Sequence, residues 1–106
     1  MRLRKRRDFD RVYRAGTAKK GRYFHLYLRP NKDGPRLGIV IPRGWGSVVS
    51  RNRMRRLLRE AFRTEKQVFS GVDLIVVPQR ECRGLDARQV KARLLQAFGS
   101  GFGGAR

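Results

Sequence analysis

The run "VDLIVVP", residues 72–78, is nearly continuous in apolar side chains. A strand with one wet face alternates apolar and polar residues, because successive side chains point to opposite faces. A strand covered on both faces has no such alternation. The run is therefore read as a central strand. A central strand needs partners in its sheet and elements packed against it, and the flanking sequence is read with that requirement in mind.

Upstream, "RYFHLYLRP" (22–30) alternates strictly, with Phe24, Leu26 and Leu28 on one side and Tyr23, His25 and Tyr27 on the other. "RLGIVI" (36–41) repeats the pattern with Leu37, Ile39 and Ile41. The turn "NKDG" (31–34) lies between them, and this spacing predicts an antiparallel hairpin. A further short strand is expected near residues 17–20. "DFDRVYRAG" (8–16) reads as a short helix, with Asp8 as its cap, Phe9, Val12 and Tyr13 on one face, and Gly16 closing it.

After the Gly-rich connector "PRGWGS" (42–47), Ser50 is expected to cap a long helix that runs to about Phe69. Downstream of the central strand, a helix is expected over about 87–98. Asp86 and Gln89 form a capping box, Leu85 can staple to Val90, and Gly99 ends the helix. Residues 99–106 read as a flexible tail. The order α-β-β-α-β-α predicts an α+β fold, a small mainly antiparallel sheet with three helices in one domain over residues 1–98.

The chain has 106 residues, room for one core. Lys and Arg number 27 against 8 Asp and Glu, for a net charge of +19. A compact body so charged repels itself, and a polyanionic partner relieves the repulsion. Arg supplies most of the charge, and its planar fork meets phosphate bidentately. A GC-rich genome favouring Arg codons accounts for that excess equally well. An anionic membrane ranks behind nucleic acid. Cys82 is the only cysteine, so no intrachain disulfide forms, and a reducing cytosol fits. No apolar run approaches the ~18 residues of a membrane span, and no signal-type stretch follows "MRLRKRRDFDR". The expected location is cytoplasmic.

The charge is densest in "VVSRNRMRRLLREAFR" (48–63), with six arginines and one acid in sixteen residues. At 100° per residue, Met54, Leu57, Leu58, Ala61 and Phe62 form the core arc. Arg51, Arg55, Arg59 and Arg63 line a neighbouring stripe, flanked by Asn52 and Arg56. Arg53 falls further round, beside Glu60. Like charges at i, i+4 cost ~0.2–0.5 kcal/mol a pair, about 1 kcal/mol for the three pairs. A merely solvated face would mix in acids. Cations at a helix start also oppose the dipole, unless a phosphate binds at the free N–H groups beside Arg51, Asn52 and Arg53.

The string "RNRMRRLLRE" resembles the signature of the protein subunit of bacterial ribonuclease P. "DFDRVYRAGT" is similar to that family's first helix and "RYFHLYLRP" to its aromatic strand. "RLGIVIPRGWGSVVSRNR" is similar to its approach to the signature. Gly44 and Pro42 depart from the family pattern, Gly44 where a basic residue is usual. The resemblance implies a left-handed βαβ crossover, against the general right-handed rule. It also implies a helper role, in which a catalytic RNA removes the 5′ leader of precursor tRNA with Mg2+ held mainly by RNA. The implied RNA-docking residues are Arg51, Asn52, Arg53, Arg55, Arg56 and Arg59. The implied cleft for the single-stranded leader is lined by Phe9, Tyr13 and Tyr27. The implied partners are the catalytic RNA and precursor tRNA, with no membrane and no obligate protein partner.

The residues support this reading independently, since single strands bind where aromatics for stacking lie beside basic groups. Phe9 reads equally as core; Tyr13 and Tyr27 have an alternative reading as rim tyrosines, with the cleft favoured for Tyr27; His25 reads as a spectator. The eight acids are scattered, and one His with one Cys builds no zinc site, so no catalytic residues and no protein-bound metal are expected. Two other classes compete. One is a ribosomal protein or RNA chaperone. The other is a DNA-binding regulator, which would need Asn, Gln or Ser along residues 53–63 to read base edges.

Overall fold

In the computed structural model, which describes residues 2–99, the run at 72–78 is an interior strand of a four-stranded sheet. The elements in chain order are α1 (Arg6–Ala15), β1 (Thr17–Lys20), β2 (Phe24–Pro30) and β3 (Arg36–Ile39). Then come α2 (Val48–Thr64), β4 (Val72–Pro78), a 3-10 turn (Arg80–Cys82) and α3 (Ala87–Gly99). The spatial order is β1-β2-β4-β3. Strands β1, β2 and β4 pair antiparallel, while β3 runs parallel to β4 and reaches it through α2. This is the expected α+β class, and the short strand near 17–20 is present.

Both faces of β4 are covered. Leu74 and Val76 join Phe24, Leu26 and Leu28 of β2 in the main core, which Met54 and Leu58 of α2 and Val90 and Leu94 of α3 complete. Ile75 points the other way, into a smaller cluster with Leu3 and Val12 under α1. Asp73 lies in this strand too, with its side chain 1% exposed. Arg36 grips it through Nε at 3.0 Å and Nη2 at 2.8 Å, Asn31 Nδ2 donates to it at 2.9 Å, and Arg29 lies at 3.6 Å. Burial raises the Asp73 pKa, but the hydrogen bonds from Arg36 and Asn31 and the charges of Arg36 and Arg29 outweigh it, leaving the carboxyl below its usual range. Arg36 also faces Asp8 of α1 at 3.6 Å. One buried carboxylate thus ties β3 to β4, and Arg36 extends that tie to α1.

Four expectations need correction. The hairpin between residues 22–30 and 36–41 does not form, because β4 lies between β2 and β3. A strand apolar on both faces is stabilised by a neighbour on each side, and the turn at 31–34 lets β3 pass β2 and take the far one. The true hairpin joins β1 to β2 through Gly21–Phe24, with Gly21 N donating to Phe24 O at 3.0 Å. Asp8 does not cap α1: the cap position is Lys5, without a side-chain bond, and Asp8 sits in the first turn where Arg36 draws it. Ser47 rather than Ser50 caps α2, its Oγ accepting from Ser50 N at 3.1 Å. That helix ends at Thr64, and the chain turns so that Phe69 enters the core, stacked on Phe62 with centroids 5.0 Å apart.

Helix α3 starts as expected. Asp86 Oδ1 accepts from Gln89 N at 2.8 Å and Gln89 Oε1 from Asp86 N at 3.0 Å, the reciprocal capping box. Gly16 closes α1, its N–H bonded to Val12 O. The expected tail from residue 100 onward lies outside the described residues. Cys82 is buried, with its thiol pushed up to about 11 by desolvation.

Replacing Asp73→Asn removes the charge that Arg36 and Arg29 face and is expected to cost about 3 kcal/mol at neutral pH. The folded carboxyl stays ionised to lower pH than the unfolded one, so its contribution is full above the unfolded value of about 3.9. It is lost as pH falls through the folded value. Urea titrations of both chains should show a constant gap near pH 7 that closes in acid.

Candidate RNA interface

Helix α2 carries the densest charge. Met54, Leu58, Ala61 and Phe62 are buried, which fixes the roll of the helix and turns the arginine stripe outward. Arg51 and Arg55 are half-buried, and Arg56, Arg59 and Arg63 are exposed. Arg51 Nη2 donates to Ile41 O at 3.3 Å, which ties the helix start to the end of β3. Arg55 Nη1 donates to the Asn52 side-chain oxygen at 3.1 Å. Each bond uses one of the five donors of a guanidinium, so the rest of the fork stays available. Among the described residues, none of Arg51, Arg53, Arg55, Arg56 and Arg59 pairs with an acid. Burial, followed by the charges of Arg2 and Arg55, pushes the Arg59 guanidinium below its ordinary pKa.

Two details of the stripe differ from expectation. Glu60 pairs with Arg63, three residues on, and not with Arg53. Arg53 and Glu60 are seven residues apart, about 10 Å along the axis, too far for a contact between side chains held in the helix. Arg53 instead donates from Nη1 to Leu85 O at 3.2 Å and links α2 to the segment before α3. The helix also begins three residues before Arg51, so its first-turn N–H groups belong to Val48, Val49 and Ser50, the last taken by Ser47. A phosphate at that terminus would sit a turn away from Arg51, Asn52 and Arg53.

The expected cleft aromatics do converge. The rings of Tyr13 and Tyr27 meet edge to face, with centroids 4.9 Å apart and planes at 72°. Burial, then Tyr27, raises the pKa of Tyr13, which is still 43% exposed. Phe9 and Tyr27 both pack against Leu3, Val12 and Ile75. The register places Tyr27, Ile75 and Gly38 in one row across the sheet, with His25 and Val77 in the next. A Cβ on Gly38 would stand 2.7 Å from two ring carbons of Phe9, so glycine is what lets α1 approach β3 this closely. A cavity of about 460 Å3 opens beside Phe9 and is lined by Arg2, Leu3, Arg4, Leu37, Gly38 and Arg59 among others.

Tyr23 does not share this face. It lies in the β1–β2 turn, packs against the main core, and has Arg22 at 5.5 Å and Arg93 at 4.8 Å from its ring. Strict alternation extended one residue too far, past the point where the chain leaves the strand. The sequence reading missed Arg2, Arg4, Gly38 and Val77 at the site. The glycine inside a strand pattern was the one available signal for the close approach. Gly44, a departure from the family pattern, has φ +83° in the turn closed by Trp45 N to Pro42 O, a conformation that favours glycine.

The geometry sorts the arginines by role. Arg53→Ala should lower stability by about 1 kcal/mol through loss of the Leu85 bond. Arg56 is exposed and makes no hydrogen bond or ion pair among the described residues, so Arg56→Ala should leave the chain within about 0.5 kcal/mol of wild type. Thermal denaturation of the two variants side by side checks this. Equal melting points would remove the structural role assigned to Arg53.

Comparison with known proteins bears on the family of the chain. The family model described as Ribonuclease P matches residues 1–100. The ribonuclease P protein component of Thermotoga maritima is 38% identical over 100 residues, covering 89% of this chain and 86% of that protein. That of Finegoldia magna is 33% identical over 96 residues, covering 90% and 85%. Among solved structures, the ribonuclease P protein of Thermotoga maritima superposes with TM-score 0.79 at 36% identity, covering 91% of this chain and 93% of that one. The Staphylococcus aureus protein gives 0.81 at 30% identity, covering 92% and 91%. With its sequence matched almost end to end and its fold superposing on solved members, the chain belongs to the ribonuclease P protein family.

Proposed function

We propose that this chain docks on a catalytic RNA through Arg51, Asn52, Arg53, Arg55, Arg56 and Arg59, and that it receives the single-stranded 5′ leader of precursor tRNA beside Phe9, Tyr13 and Tyr27. The ribonuclease P holoenzyme is an endoribonuclease, and in this reading the RNA performs the hydrolysis in the cytoplasm. The observation that carries the reading is the α2 surface. Among the described residues five guanidiniums of one helix have no carboxylate partner, and one of them, Arg59, lines the cavity beside Phe9. Phosphates neutralise such a surface, and ring faces accept unpaired bases.

Magnesium fits this division of labour as a ligand of RNA. Among the described residues, no three His, Cys, Asp or Glu side chains gather where they could hold a metal ion. The Asn52 oxygen already accepts from Arg55. The chain's own part is to bind and orient. The α2 cations offset the repulsion between RNA phosphates, and the cleft adds affinity for substrates that still carry a leader. That preference separates precursor from product, because mature tRNA has nothing to place there.

The deciding experiment mixes the purified chain with precursor tRNA at low magnesium, with and without a bacterial ribonuclease P RNA. Cleavage at the 5′ end should appear only in the mixture, and cleavage by the chain alone would refute the helper role. Affinity for the catalytic RNA should fall with salt at a log–log slope of about −4 to −5, given about six phosphate contacts. Tyr27→Ala should weaken binding of precursor tRNA by about 1–3 kcal/mol and leave mature tRNA nearly unchanged. Equal losses for the two substrates would remove the leader from the cleft.

A further inference from the structure

The N-terminal segment is built into the sheet. Arg2 forms a parallel bridge with Leu37, Leu3 N donates to Leu37 O at 3.0 Å, and the Leu3 side chain is buried under α1. This places Arg2 along the outer edge of β3, facing α2. A second cavity, of about 310 Å3, opens there and is lined by Arg2, Leu37, Arg59, Phe62, Arg63 and Lys66. It shares Arg2, Leu37 and Arg59 with the cavity beside Phe9. Its floor is apolar, Leu37 and Phe62 being buried core residues, and its rim carries four cations. Among the described residues no acid lines it, and the one carboxylate paired with a rim cation is Glu60, on Arg63.

Apolar floor and cationic rim together select the ligand. Free phosphate would use the rim and leave Leu37 and Phe62 wet. A base-paired helix presents phosphates but cannot insert a base. An unpaired nucleotide satisfies both, with a flat base for the floor and a phosphate for the guanidiniums. The volume lies at the lower end of the roughly 300–1,000 Å3 usual for small-ligand clefts, consistent with a single nucleotide. Two rim residues, Arg59 and Arg63, are successive members of the α2 stripe, so an RNA lying on that stripe covers this mouth.

We infer that the pocket holds one unpaired nucleotide of the catalytic RNA, its base against Leu37 and Phe62 and its phosphate between Arg2 and Arg59, with Lys66 closing the rim. The inference rests on the reading that α2 docks that RNA. It adds Arg2 and Lys66 to the interface and gives the extreme N-terminus a binding role.

The test places a probe at the pocket. Cys82 is buried with a raised thiol pKa, so a Lys66→Cys chain can be labelled selectively with an aryl azide. Bound to a bacterial ribonuclease P RNA and irradiated, it should cross-link to one or two adjacent unpaired nucleotides of that RNA. In an otherwise unlabelled chain, Arg2→Ala should weaken binding roughly tenfold and flatten the log–log salt slope by about 0.7–0.9, one phosphate contact. Cross-links confined to paired strands or to the leader of bound precursor tRNA would overturn the inference. So would an Arg2→Ala affinity and slope equal to wild type while Arg56→Ala, outside the pocket, still weakens binding, a result that leaves the docking role of α2 intact. If both variants bound normally, the docking role would fall as well.

Discussion

Strand β4 has no face to offer water, and the fold is arranged around covering it twice. Leu74 and Val76 draw α2 and α3 onto one side, while Ile75 draws α1 and the N-terminal segment onto the other. Within this apolar strand one carboxylate is buried, that of Asp73, and it is stabilised because Arg36, Asn31 and Arg29 surround it. Those partners come from β2, the turn after it and the start of β3. The same group therefore fixes which strands flank β4, and Arg36 carries the constraint on to Asp8 of α1. The position of α1 decides where Phe9 and Tyr13 stand. The aromatic face is thus a consequence of how the centre of the sheet is satisfied.

The charge on the chain divides by the same logic. Arginines that the fold needs have partners: Arg36 on Asp73, Arg53 on Leu85 O, Arg83 on Trp45 O. Arg51, Arg55, Arg56 and Arg59 of α2 are held at fixed spacing by a buried opposite face and meet no acid among the described residues. Repulsion along the stripe costs about 1 kcal/mol, small enough for a packed helix to carry. A rigid cationic ridge loses little conformational freedom when phosphates arrive, which favours binding over a flexible basic tail of equal charge.

Much of this was legible in the sequence. The apolar run announced a central strand, the alternation in residues 24–30 announced a half-buried one, and Asp86 with Gln89 announced the start of α3. The strand pairing was not legible, because adjacent strands joined by a turn favour a hairpin locally, and only the needs of β4 override that preference. Local signals also misplaced two caps. Asp8 and Ser50 have the chemistry of a cap, but Asp8 is drawn to Arg36, a partner distant in sequence, and Ser47 stands closer to the true start. At the site, the α2 arginines and the three aromatics follow from periodicity and resemblance. Arg2, Arg4 and Val77 come together only once the sheet is assembled.

The central claim is that the unmatched α2 guanidiniums exist to be neutralised by RNA phosphates. NMR of the arginine Nε–H groups during titration with a bacterial ribonuclease P RNA tests it most directly. The account predicts that the signals of Arg55, Arg56 and Arg59 shift and become protected from solvent exchange, while that of Arg36, held by Asp73, stays in place. Unchanged α2 signals beside a bound RNA, with the shifts falling elsewhere on the chain, would contradict it.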